Sequence, residues 1–107
     1  MTMPDQPSIE SIELTHVMHA LSDPARVAVV RELATGGERQ CSSFDLGVSK
    51  ATASHHFRVL REAGITTTRV DGKRRLLSLR RDDLDARFPG LLDAVLTASS
   101  DRQPVGV

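Results

Sequence analysis

At Gly64 the apolar pattern of the chain changes from the period of a helix to that of a strand. Upstream, Ala53, Phe57 and Leu60 stand at i, i+4 and i+7, the spacing of one helix face. Ser49 is a natural N-cap and Gly64 a natural stop, so the spacing predicts a helix over Lys50–Ala63. Downstream, Ile65–Val70 is rich in β-branched residues, with three threonines in a row, and reads as a strand. Asp71-Gly72 then signals a two-residue hairpin turn, and Lys73–Leu79 returns as a second strand with Leu77 and Leu79 on one face. A helix that meets a tight hairpin within one glycine can be packed in few ways, and the other segments must fit around that unit.

Those other segments are mostly helical. From about Ile9 to Leu21, the positions Leu14, Val17, Met18 and Leu21 fall at helical spacing. Ser22-Asp23-Pro24 interrupts the pattern, and Asp23 stands where it can cap a second helix, Pro24–Thr35. Val27, Val30 and Ala34 are its expected inner face and Gly36-Gly37 its end. Between residues 38 and 48, Ser42–Leu46 is expected as a short helix and Gly47-Val48 as a turn. After the hairpin, Asp82–Arg87 reads as a turn, and the stripe Phe88, Leu91, Leu92, Val95 and Leu96 predicts a helix over about Pro89–Ala98. Residues 1–8, with Pro4 and Pro7, are expected as a disordered tail and residues 99–107 as a flexible one, leaving one domain over residues 9–98.

Charge is distributed unevenly. The 14 Lys and Arg side chains balance 14 Asp and Glu exactly in number, a formal net charge of zero that, as a total, argues against a polyanionic partner. Residues 1–49, however, hold three basic against seven acidic side chains, and residues 82–107 two against five. Residues 50–81 hold nine basic side chains against only Glu62 and Asp71, a local net charge of +7. Such a stripe can neutralise phosphates and release their counterions, or it can be a solvated face paired with the acidic ends; charge alone does not choose.

Several classes fall away. A length of 107 residues fits one domain, and 39% hydrophobic with 26% charged residues is ordinary globular composition. No stretch approaches the roughly 20 apolar residues of a membrane span, and MTMPDQPSIE lacks the basic and apolar regions of a signal peptide, so a cytoplasmic protein is expected. The single cysteine, Cys41, excludes an intrachain disulfide framework and a multi-cysteine zinc site. No nucleophile–base spacing, Gly-rich phosphate loop or carboxylate cluster points to catalysis, so neither catalytic residues nor a cofactor are assigned.

The order helix, helix, short helix, helix, hairpin, helix is mainly α with a β-hairpin, the α-α-α-α-β-β-α layout of a winged helix-turn-helix. In that layout the longer helix enters the major groove of double-stranded DNA with its N-terminal side chains toward base edges, and the hairpin tip meets backbone or minor groove. The expected DNA-binding residues are therefore Lys50, Thr52, Ser54, His55 and Arg58 on the helix and Arg69, Lys73, Arg74 and Arg75 on the hairpin. A protein-interaction module is the alternative for such a fold, but a protein-facing wing does not need four cations. Arg26, Arg80 and Arg81 can reach phosphates or pair with Glu32, Asp82 and Asp83, while Arg61 and Glu62 suit surface ion pairs.

LSDPARVAVVREL (Leu21–Leu33), SKATASHHFRVLREAGI (Ser49–Ile65) and VDGKRRLLSL (Val70–Leu79) resemble the ArsR/SmtB family of bacterial winged-helix repressors, and the resemblance runs from about Leu14 to Leu96. It implies a homodimer joined largely through its first and last helices, seated on operator DNA and blocking transcription until an effector releases it. It also implies that His56 is the family's usual histidine, packed at the edge of the core, and that His55 sits where members vary and face DNA. Adjacent helical residues point about 100° apart, so the two histidines are not expected to share a metal.

The chain departs from the family pattern before Ser49 and in the last helix. Many members carry a Cys-x-Cys pair where this chain reads Glu38-Arg39-Gln40-Cys41-Ser42-Ser43-Phe44, with one thiol, and the segment ahead of Ser49 is shorter than usual. Other members bind metal through Asp/His pairs on the last helix, where Asp82–Ala98 offers four aspartates and no histidine. No metal site is assigned. His16 and His19, three apart on the first helix, read as surface or interface histidines without a third ligand. Cys41 is a candidate thiol sensor if Arg39 and Lys50 lower its pKa, and otherwise a small packing residue.

Overall fold

The computed structural model describes residues 6–100. A single 3-10 turn over Ile9–Ser11 leads into helix α1 (Leu14–Ala20), followed by α2 (Pro24–Ala34), a two-residue strand β1 (Arg39–Gln40) and a second 3-10 turn over Cys41–Ser43. Helix α3 (Lys50–Glu62), strands β2 (Thr66–Asp71) and β3 (Arg74–Leu79), and helices α4 (Arg81–Arg87) and α5 (Leu91–Ser100) complete the order. This is a winged helix-turn-helix, in which the segment from the Cys41–Ser43 turn to Val48 leads into α3, the longer helix, and the β2–β3 hairpin is the wing.

The ends of the helices are set by local chemistry. Asp23 caps α2 by accepting the Ala25 N–H at 2.8 Å, with Pro24 at the first helical position. Ser49 caps α3 by accepting the Thr52 N–H at 3.2 Å. At the other end of α3 the Gly64 N–H donates to the Arg61 carbonyl and the Ile65 N–H to the Leu60 carbonyl, both at 3.0 Å, the paired bonds of a Schellman stop. Gly64 lies at φ +86°, and a Cβ there would stand 2.5 Å from Cγ1 of Ile12. The glycine is thus required twice, by its backbone angle and by the side chain packed over it.

The same contact explains why the first helix is shorter than its periodicity predicts. Ile12 is buried and extended, at φ −74° and ψ 124°, where it seats over Gly64 and breaks the helix expected from Ile9. Val17 and Ala20 are buried on α1, whereas Leu14 and Met18, counted from the sequence as part of its apolar face, are 47% and 55% exposed. On α2 the inner face is Val29, Val30 and Leu33 with Arg26, and Val27 and Ala34 are only half-buried. The core is completed by Phe57, Leu60, Ala63, Ile65, Leu77, Leu84 and Leu92.

Three further details correct the expected element order. Ser42–Leu46 forms no α-helix; a 3-10 turn occupies Cys41–Ser43, and Phe44 anchors the segment by packing on Phe57 of α3 with ring centroids 5.7 Å apart. Arg39–Gln40, too short to show a period, adds a strand at the edge of β3, giving an antiparallel sheet in the order β1-β3-β2. Asp82–Arg87 belongs to a helix rather than a turn, its first-turn Asp82 and Asp83 favourable to the helix dipole and its Leu84 buried. The hairpin turn is also one residue later than its Asp-Gly signal suggests. Asp71 still pairs with Arg74 in the ladder, so the loop is Gly72-Lys73, with the positive φ (+64°) on Gly72 alone, the pattern of a turn with glycine first.

Most of the two expected tails lies outside the described residues. Of the described part, Gln6 accepts the Thr68 N–H of β2 through its side-chain oxygen, and the Pro7 carbonyl accepts from Arg80 at 2.7 Å. At the other end α5 continues to Ser100. No helix among the described residues is long and apolar enough to cross a membrane.

Candidate nucleic-acid interface

Between the 3-10 turn at Cys41, one face of α3 and the wing lies an open groove of about 860 Å3. Its lining includes Lys50, Ser54 and Arg58 from α3 and Lys73, Arg74 and Arg75 from the wing, with Phe44, Leu46, Ala53 and Phe57 as apolar lining. All nine residues expected to meet DNA are exposed. Six of them border this groove, while Thr52, His55 and Arg69 do not line it.

The nine are not equivalent electrostatically. Arg69 forks onto Glu38, donating through Nε and Nη2 at 2.9 and 2.8 Å. The fork holds the Glu38 carboxyl below its usual range and pushes Arg69 up, in both cases chiefly through the side-chain hydrogen bond. Arg74 pairs with Asp71 across the hairpin at 2.5 Å. Thr52 accepts from the Ser49 hydroxyl at 3.0 Å, so its oxygen is already engaged in the helix cap. Lys50, Arg58, Lys73 and Arg75 form no ion pair among the described residues.

Three arginines weighed as phosphate ligands are committed elsewhere. Arg26 is buried on α2, and its guanidinium donates to the Ala20 carbonyl at 2.7 Å, the His19 carbonyl at 3.4 Å and Nδ1 of His56 at 3.0 Å. One side chain therefore holds the end of α1 and the middle of α3 against α2. A guanidinium only donates, so Nδ1 of His56 is the acceptor of this bond. Arg80 pairs with Asp83 at 2.9 Å, and Arg81 with Asp93 at 3.1 Å. Glu32 pairs with Arg39 rather than with Arg26. The Arg26–His56 bond and the Glu38 fork join residues 30 and 31 positions apart, and no sequence period reports them.

Cys41 is half-buried at the groove, and burial pushes its thiol up, with Arg75 and Arg61 pulling more weakly the other way. Arg39 and Lys50, the neighbours expected from the sequence to lower it, are not among these influences. His16 and His19 are exposed on α1, and among the described residues no three His, Cys, Asp or Glu side chains group as a metal site.

A capped helix beside a basic hairpin, with a shorter helix packed across it, defines a winged helix-turn-helix regulator. Residues 21–69 match the family described as "Helix-turn-helix domain". The chain is 40% identical over 83 residues to the uncharacterized HTH-type transcriptional regulator YceK of Bacillus subtilis (strain 168), covering 74% of this chain and 82% of that one. It is 31% identical over 74 residues to the arsenical resistance operon repressor of Staphylococcus xylosus, covering 68% of this chain and 71% of the relative. The fold is also that of a homodimeric winged helix-turn-helix DNA-binding domain from Mycobacterium bovis described as a possible ArsR-family regulator, with a TM-score of 0.63, 94% of each chain covered and 24% identity. The chain belongs to the ArsR/SmtB family of winged helix-turn-helix transcriptional regulators.

Proposed function

We propose that this protein is a homodimeric repressor that binds operator DNA sequence-specifically through α3 and the wing, and that an effector releases it. The observation that carries the reading is the convergence of Lys50, Ser54 and Arg58 from one element and Lys73, Arg74 and Arg75 from another on a single exposed groove. Helix N-terminal side chains are suited to base edges and wing cations to phosphates. Dimerisation is supported by Leu14 and Met18, large apolar side chains left 47% and 55% exposed on α1, since such groups suit an interface between copies. Residues 9–98 act as one domain in this reading, working in the cytoplasm without catalysis. Cys41 is read here as a packing residue of the groove, its thiol pushed up by burial.

Selection of duplexes from a randomised library, followed by gel shifts over a salt series, tests the proposal. Affinity should fall steeply with salt, with a log–log slope of about −0.9 per phosphate neutralised. Lys73→Ala and Arg75→Ala should each weaken binding to all sequences and flatten the slope by about one per protomer, while Ser54→Ala and His55→Ala should relax sequence preference. Enrichment of no duplex, or binding unchanged by Lys73→Ala and Arg75→Ala together, refutes the reading.

A further inference from the structure

Among the described residues three large apolar side chains are exposed, Leu14, Met18 and Val48. The first two belong to α1, which contributes nothing to the basic groove; Val48 lines the groove itself and is 45% exposed. Its position is fixed by backbone geometry rather than by packing. Asp45 accepts the Gly47 N–H at 3.2 Å, Gly47 turns the chain at φ +68°, and Ser49 immediately caps α3. Val48 thus stands at the head of the helix, beside Lys50.

We infer that Val48 is a base-reading residue that packs against the C5-methyl group of a thymine in the major groove. Four observations select this partner. The head of a docked recognition helix is the part that reaches base edges. The groove around Val48 carries Lys50, Arg58, Lys73 and Arg75 without ion-pair partners among the described residues, which suits a polyanion and opposes an apolar protein surface. The thymine methyl is the apolar group that base pairs display in the major groove. A valine is also too short to reach far, so it reads a methyl only where the backbone is brought close, and Val48 stands immediately before the cap of α3, the end of a docked helix that comes nearest the bases. This inference rests on the DNA-binding reading above and adds a base preference that none of the polar candidates supplies.

The test replaces thymines of the selected operator one at a time by deoxyuridine, which removes only the methyl group. Wild-type protein should bind at least one such duplex about four-fold more weakly per half-site, the value of one buried methyl group, and Val48→Ala should bind the thymine and uracil duplexes equally. Because Val48 is exposed, Val48→Ala should keep the wild-type Tm, and Val48→Thr, which retains one methyl, should retain part of the discrimination. Two results overturn the assignment while leaving DNA binding intact: no position sensitive to uracil, or a sensitivity that Val48→Ala leaves unchanged. Failure to bind any duplex overturns the DNA-binding reading itself.

Discussion

Replacing Arg26 by methionine removes a side chain of α2 that hydrogen-bonds to both α1 and α3. The guanidinium is buried, at 6% exposure, and donates to two carbonyls and to His56 Nδ1. Methionine matches the length of the stem but donates nothing, so the Ala20 carbonyl and the His56 ring nitrogen lose a charged donor inside the protein. Hydrogen bonds to charged groups contribute about 1.5–3 kcal/mol each, and the two short ones, to Ala20 and His56, are lost with the guanidinium. The long 3.4 Å bond to His19 adds little, so a loss of about 3–5 kcal/mol is expected. Against a total stability of about 5–15 kcal/mol, that is a large fraction. Urea unfolding at fixed protomer concentration, which removes the mass-action effect of dimerisation, should show a lower midpoint with an unchanged slope. Arg26→Lys should recover only part of the loss, because an ammonium is a compact donor that cannot fork. In a double-mutant cycle with His56→Ala the two losses should fall short of additivity by about 0.5–3 kcal/mol. A loss under about 1 kcal/mol for Arg26→Met, or strict additivity with His56→Ala, refutes the idea that this contact ties the helices together.

Gly64→Ala should destabilise by about 2–4 kcal/mol, combining a positive-φ penalty with overpacking against Ile12, and Ile12→Ala in the same background should relieve the overpacking part, as measured by thermal unfolding. The Glu38 carboxyl should titrate below the ordinary glutamate value of about 4.3 in an NMR pH series and return to it in Arg69→Gln. Since the depressed carboxyl belongs to the folded state, what the fork contributes is present above the ordinary value and lost as pH falls through the lowered one. Glu38→Gln should free Arg69 for phosphate, giving tighter DNA binding with a steeper salt dependence in gel shifts. Cys41 should react slowly with iodoacetamide at pH 7 and faster as pH rises above about 8.5, and a fast reaction at pH 7 would restore it as a sensor.

The chain order of the helix-turn-helix and its wing was legible because its signals are local. Asp23 before Pro24, Ser49 before a helical period, Gly64 after it and a glycine at the hairpin each act within a few residues, through caps and backbone angles. The basic character of residues 50–81 was legible for the same reason, since charge is carried by composition. Helix faces were less so: α2 has apolar side chains at Val27, Ala28, Val29 and Val30, and which of them turn inward depends on what packs there. Leu14 and Met18 fit the same apolar period as Val17, yet only Val17 is buried. Ile12, by seating over Gly64, 52 positions away, shortens the first helix in a way no local pattern encodes.

The sequence by itself determined the class of protein and the basic character of residues 50–81. Tertiary structure alone decided which cations stay available, because the pairing of Arg69 with Glu38 and of Arg26 with His56 depends on side chains brought together across about thirty residues. It decided too that Val48 stands exposed among charges while Val17, Val29 and Val30 are buried. The physical reason is common to all three. Caps, turns and net charge are properties of neighbours along the chain, whereas desolvation and ion pairing are properties of neighbours in space.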